Sequence, residues 1–398
     1  MPTWLIDLKP LWLYPHYRRV WMGSTLSAIG NHLTLFAVTV QLYTLTHSSL
    51  AVGMMGLFTG IPAIIVALWG GVLGDTHDRR KIVLMTTFFQ LVGCTILFIY
   101  SLLDGRNIIV LYGCVAWIFL LGSINVPMAS AILPRLVHKD HLQSAIVLRV
   151  FTMHGTLFLG PLIGGFLLTK YPMAMLYFID MCTFCAALYG ILRLPPMPIP
   201  QETKSWSAVK QGIEFVKKSP IILSALCIDC ILVFFCLPHA LFPAINHLSF
   251  DGSNHSLGLM VAAPSLGGLV AMLVSRRLKA TLSSMILISG LYALSAIGFS
   301  LSFSLTLSLL LLGIMGAFDS SMAVLRGLIV QKATPDTHRA RVSSLEYIFD
   351  NCATQLSHVR AGLLAVTFTP QMAILLSSSI TLLLLLTFVW FLPQNKQP

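Results

Sequence analysis

Apolar residues gather into twelve long stretches, at about 20–43, 50–73, 82–103, 108–131, 143–167, 172–193, 221–245, 256–275, 283–303, 305–330, 343–365 and 371–393. A run of about 20 such residues is what an α-helix needs to cross the hydrocarbon core of a bilayer. The alternating ten-residue strands of an outer-membrane barrel do not occur. The rhythm breaks once, after the sixth stretch, where LPPMPIPQETKSW (194–206) is rich in proline and polar residues. The pattern predicts an all-α polytopic membrane protein with twelve transmembrane helices in two six-helix halves. The N-terminal half is 1–193, the linker 194–219 and the C-terminal half 220–398. Within the linker, 205–218 is amphipathic, with Val209, Ile213 and Val216 on one side. It is expected to lie as a helix on the membrane face, or to dock a partner.

Composition agrees with the pattern. Of 398 residues, 56% are apolar and 10% charged, against roughly 25% charged in soluble domains. Disordered chains, coiled coils and secreted disulfide scaffolds are excluded on the same ground. Residues 1–19 hold Lys9, Arg18 and Arg19 without a short apolar core or a small-x-small cleavage site, so no removable signal peptide is expected. With both termini inside, 20 of the 25 basic residues fall in cytoplasmic segments and only Arg106 and Lys170 in outer loops. That bias is the positive-inside rule. It accounts for the net charge of +11 through an anionic leaflet, with no nucleic acid needed.

A shift of 197 residues lays Gly70-Gly71 on Gly267-Gly268 and Arg79-Arg80 on Arg276-Arg277, and brings the basic loop at Arg135 onto the one at Lys332. The agreement on one offset suggests that the halves arose by duplication, as in transporters built from six-helix repeats.

The loop after the second span reads Gly70-Gly71-Val72-Leu73-Gly74-Asp75-Thr76-His77-Asp78-Arg79-Arg80-Lys81. It resembles the signature of the major facilitator superfamily, which Gly71, Asp75, Arg79 and Arg80 match, whereas Thr76 and Asp78 depart from it. The resemblance implies the major facilitator fold, with this cluster as a gating latch. A charged loop that only fixes topology is the plainer alternative. Gly160-Pro161-Leu162-Ile163-Gly164-Gly165 in the fifth span is similar to the glycine-proline motif of the superfamily's exporters. Within the superfamily the chain resembles the enterobactin exporters of the bacterial inner membrane. The residues that carry this are Tyr17-Arg18-Arg19-Val20, Thr46-His47-Ser48, Leu142-Gln143-Ser144-Ala145, Lys218-Ser219-Pro220 and Thr334-Pro335 with Arg341.

Charges within spans are costly and mark function by default. Eight qualify: Arg149, Asp180, Asp229, Asp319, Arg326, Glu346, Asp350 and Arg360. In the family, spans 1, 4, 7 and 10 line the cavity with 2, 5, 8 and 11 beside them, and all but Asp180 sit on such helices. Two readings stand. The charges form salt bridges of an inner gate, or they serve substrate and coupling ion directly. In the second reading Asp229 and Asp319, with Glu346 and Asp350, are the candidate proton carriers, because a desolvated carboxylate titrates closer to neutrality. Arg149, Arg326 and Arg360 are the candidate anion-binding set, since guanidinium stays charged and grips carboxylates with two donors. His154 and His358, and Asn31 and His32 in span 1, are further candidate substrate contacts. Hydrogen bonding within the protein is the alternative for each.

The pairs Cys182/Cys185 and Cys227/Cys230 have metal-site spacing but fall in apolar spans, so they read as small hydrophobes. His138-Lys139-Asp140-His141 sits in a basic loop and reads as topology. No metal, cofactor, Walker loop or catalytic set is expected, and hence no enzyme. The expectation is a monomeric, proton-coupled secondary carrier of the inner membrane, exporting a siderophore or similar anionic metabolite. A multidrug-proton antiporter and an inward carrier of a siderophore or its ferric complex are the alternatives.

Overall fold

A computed structural model describes the backbone at residues 7–76, 78–194, 214–274 and 278–391. Side chains are described there except at 67–76, 126–127, 129–131, 272–274, 336–341, 344 and 389–391. A short α1 (Lys9–Leu13) leads into α2 (Pro15–Thr46), α3 (Ser49–Thr76), α4 (Arg79–Leu102), α5 (Ile108–Leu136), α6 (Lys139–Leu167) and α7 (Ala174–Leu192). After the linker come α8 (Pro220–Cys236), a 3-10 turn at His239–Leu241, α9 (Phe242–Ser249), α10 (Asn254–Val274), α11 (Leu282–Ser300), α12 (Leu305–Ala333), α13 (Asp336–Thr367) and α14 (Pro370–Phe391). No strand occurs among the described residues.

Nine helical stretches among the described residues are long and apolar enough to cross a membrane, including Arg79–Leu102, Ala174–Leu192, Leu282–Ser300 and Pro370–Phe388. Large apolar side chains face outward, such as Met85, Leu287, Leu383 and Leu386, each more than 60% exposed. A water-soluble protein would hide them. Helix α13 is not among the nine; its path carries Glu346, Asp350 and Arg360, and those polar groups become the centre of a site.

The seventh span departs from a single continuous helix. It runs from Pro220 to Ser249 but breaks after Cys236, because Pro238 offers no N–H to the preceding turn. Pro243 then sits in the first turn of α9, where a missing N–H costs nothing. Of the amphipathic run in the linker, 205–213 lies outside the described residues. Its end is helical at 214–218 and buries Val216 against Ile222, Leu226, Val330, Val342 and Leu345. That side chain therefore faces protein, not lipid.

By packing, the chain forms two compact units. The first comprises Met1–His47, Leu57–Ser205 and Ser253–Ala262; the second comprises Ser48–Gly56, Trp206–Gly252 and Ala263–Pro398. In the first, α2 packs on α6 and α7, and α4 on α5 and α7. In the second, α8 touches α11, α12, α13 and α14. Lipid tails are as apolar as leucine, so helices associate through close backbone approach and polar contacts. Gly267 and Gly316 supply the first kind: a Cβ on either would overlap a carbonyl, of Gly313 or of Pro264, across the α10–α12 contact. Gly267 is the residue that the internal duplication aligns with Gly70.

Candidate functional site

The second unit collects four of the intramembrane charges at one point. Arg326 on α12 donates from Nε to Glu346 Oε1 at 2.9 Å and from Nη1 to Asp350 Oδ1 at 2.8 Å, and pairs with Asp229 Oδ2. Helices α8, α12 and α13 are thereby tied through one guanidinium. Glu346 and Asp350 reach it together because residues four apart share a helix face. The side chains of Arg326 and Asp229 are 11% and 7% exposed, that of Asp350 39%. The hub is thus closed on one side and reachable on the other. One cation faces three carboxylates, so the fully ionised hub carries an excess of negative charge. Removing the guanidinium would leave the three carboxylates facing one another uncompensated, a loss of about 3–5 kcal/mol.

Asp319 lies two turns along α12 from Arg326. It is exposed and has no hydrogen bond among the described residues, yet it stands within electrostatic range of Asp229, Asp350 and Arg326, with Tyr292 beside it.

Arg360 is held quite differently. Its Nε donates to Phe234 O at 2.8 Å, its Nη2 to Phe235 O at 2.6 Å and its Nη1 to Ser377 Oγ, with the guanidinium 5.5 Å from both phenyl ring centres. No carboxylate pairs with it among the described residues. Sequence grouped Arg149, Arg326 and Arg360 as an anion-binding set. In the structure Arg326 is met by carboxylates and Arg360 by carbonyls.

His358 stacks on His239 with ring centroids 6.0 Å apart, and its Nδ1 is buried without a partner. His239 is exposed and also meets Phe242 edge-on.

In the first unit, Arg149 on α6 is half-buried, within electrostatic range of Tyr17, whose hydroxyl donates to Ala145 O at 3.3 Å. Asn31, His32 and His154 are also half-buried and have no hydrogen bond among the described residues. The exporter-type motif sets the distance between α2 and α6: a Cβ on Gly160 would overlap the His32 side chain, and one on Gly164 would press on Phe36. Pro161 and Gly165 pack against Gly258 of α10.

Asp180 is fully buried. Thr34 donates to its Oδ2 at 2.6 Å, Thr183 to its Oδ1 at 3.1 Å, and Cys94 lies 3.5 Å from Oδ2. Neutral donors from three helices thus satisfy the one intramembrane charge that the sequence placed away from the cavity helices.

In the gating motif, the side chains of Gly71 and Asp75 lie outside the described residues. Arg80 donates from Nη2 to the carbonyl of Leu192 at 2.8 Å, closing the C-terminus of α7. Asp78, a departure from the family pattern, accepts the Arg80 N–H at 2.9 Å and caps α4. Arg79 sits beside it at the start of α4. Sequence reasoning missed this cap, though an aspartate just before a helix is its usual sign. It also missed the span-7 break, which Pro238 and Pro243 announce.

Three comparisons place this architecture. Residues 8–397 match the family described as transmembrane secretion effector. The enterobactin exporters EntS of Salmonella choleraesuis (strain SC-B67) and Shigella boydii serotype 18 are 26% and 27% identical over 348 residues, 86% of this chain and 84% and 83% of theirs. Among solved structures, the nucleoside transporter NupG superposes with a TM-score of 0.75 at 13% identity, covering 96% of this chain and 100% of that one. A bacterial homologue of the iron transporter ferroportin gives 0.72 at 15% identity, covering 94% and 98%. The structural likenesses establish the fold, and the match along nearly the whole chain establishes the family: the protein is a multi-pass membrane transporter of the major facilitator type and belongs to the transmembrane secretion effectors.

Proposed function

We propose that the protein is a proton-coupled secondary carrier of the bacterial inner membrane, with both termini cytoplasmic, that exports a siderophore or similar anionic metabolite as a monomer. The observation that carries the coupling is the hub at Arg326. Three carboxylates share one guanidinium, so adding a proton to any of them weakens the tie between α8, α12 and α13. Asp319 is the proton's way in and out; Asp229, Glu346 and Asp350 hold it against Arg326. Within the first unit the candidate substrate contacts are Arg149, Asn31, His32 and His154; His358, in the second unit, is a separate candidate. The likeness to exporters of enterobactin supports the substrate class.

The excess negative charge around Arg326 favours a second reading, a multidrug-proton antiporter taking cations. One experiment separates the two. The purified protein is placed in liposomes with an acidic lumen and offered iron-free enterobactin, ferric enterobactin and a cationic dye. Accumulation of iron-free enterobactin that collapses with the pH gradient is expected. Accumulation of the dye alone would favour the antiporter. Uptake indifferent to the gradient would overturn proton coupling.

A further inference from the structure

We infer that Arg360 is a positioning residue that stands in for the backbone donor that Pro238 lacks, and so clamps the break in the seventh span. In a helix the carbonyl of residue 234 accepts from the N–H of residue 238. Position 238 is proline, and α8 ends two residues earlier, at Cys236. The carbonyls of Phe234 and Phe235 are therefore among the four that a helix C-terminus leaves without partners. Within a membrane such groups cost several kcal/mol each unless something else donates to them.

Arg360 does so for both. Nε and Nη2 take Phe234 O and Phe235 O, in the fork geometry that lysine cannot copy. The negative end of the α8 dipole and the two phenyl faces answer the charge in place of a carboxylate. Nη1 goes to Ser377 Oγ, whose own hydrogen goes to Ala373 O, so the clamp also fixes α14. A cavity of about 10 Å³ remains beside it, lined by Leu237, Pro238, Leu241 and Ser377 among others. It has room for about one water. What the clamp positions is the turn at His239–Leu241, which presents His239 to His358 and starts α9.

The clamp is independent of the substrate. It predicts an energetic coupling between Arg360 and Pro238, which a substrate-binding arginine would not have. Wild type, R360Q, P238A and P238A/R360Q are compared in lipid nanodiscs by hydrogen exchange read peptide by peptide, and by thermal unfolding. R360Q is expected to speed exchange in 237–245 by about tenfold or more, as loss of a charged hydrogen bond would, with little change in α11. P238A supplies an N–H and frees Leu237 from the extended conformation that a following proline favours, so the helix can continue and bond Phe234 O. The double variant is expected to regain most of the protection and melting temperature. Should R360Q be too unstable to purify, recovery of folded protein in the double variant supports the same conclusion. Failure of P238A to restore either quantity overturns it, as does faster exchange spread evenly over the second unit.

Discussion

Arg326 and Arg360 stand on neighbouring helices of one unit, and the protein treats them in opposite ways. Arg326 meets three carboxylates. Arg360 meets two carbonyls, a hydroxyl and two rings, none of which titrates. The same side chain is thus bound to charged groups in one setting and to neutral ones in the other. A charge within a span marks a place where the backbone or the chemistry has a need, and its partners say which. Arg80 on Leu192 O is a second arginine on a neutral group. Asp180, held by Thr34, Thr183 and Cys94, is a carboxyl in the neutral kind of setting.

The largest effect is expected at Arg326. Arg326→Ala leaves Asp229, Glu346 and Asp350 facing each other, and a loss of about 3–5 kcal/mol is expected. Thermal unfolding of the detergent-solubilised protein measures it; a change near zero would mean that the hub does not hold the helices. Arg326→Lys keeps the charge and loses the fork, so it should fold but bind its carboxylates less firmly. Next is Arg360→Gln, which keeps neutral donors near the carbonyls and should cost about 1.5–3 kcal/mol. Its unfolding should shift equally at pH 5.5 and 8, whereas that of the Arg326 variants should depend on pH.

Glu346→Gln is milder. The amide oxygen can still accept from Nε, so about 1 kcal/mol is expected, together with a changed response of transport to the pH gradient. Asp319→Asn should be the smallest in stability, within about 0.5 kcal/mol, because its carboxyl makes no hydrogen bond among the described residues. Its transport should nevertheless stop answering to the gradient. Gradient-driven accumulation at the wild-type rate in that variant would remove Asp319 from the proton path.

The class of the protein and the inventory of its odd charges were legible in the sequence. Apolar stretches of spanning length, a bias of basic residues to one side and motifs such as Gly71-to-Lys81 are local, and they follow from the bilayer's thickness and the cost of burying charge. Seven-residue and four-residue spacings even placed Asp319 with Arg326, and Glu346 with Asp350, on common helix faces. What it could not decide is which charge meets which. Asp229 is 97 residues from Arg326, and Phe234 is 126 from Arg360. Those meetings depend on how α8 packs against α12 and α13, and glycines fix helix distances only when the facing backbone is known. Tertiary structure therefore made one arginine the centre of a carboxylate hub and the other the donor to two carbonyls at a helix end. The physical reason is that in a medium without water each buried charge takes its role from its nearest partners.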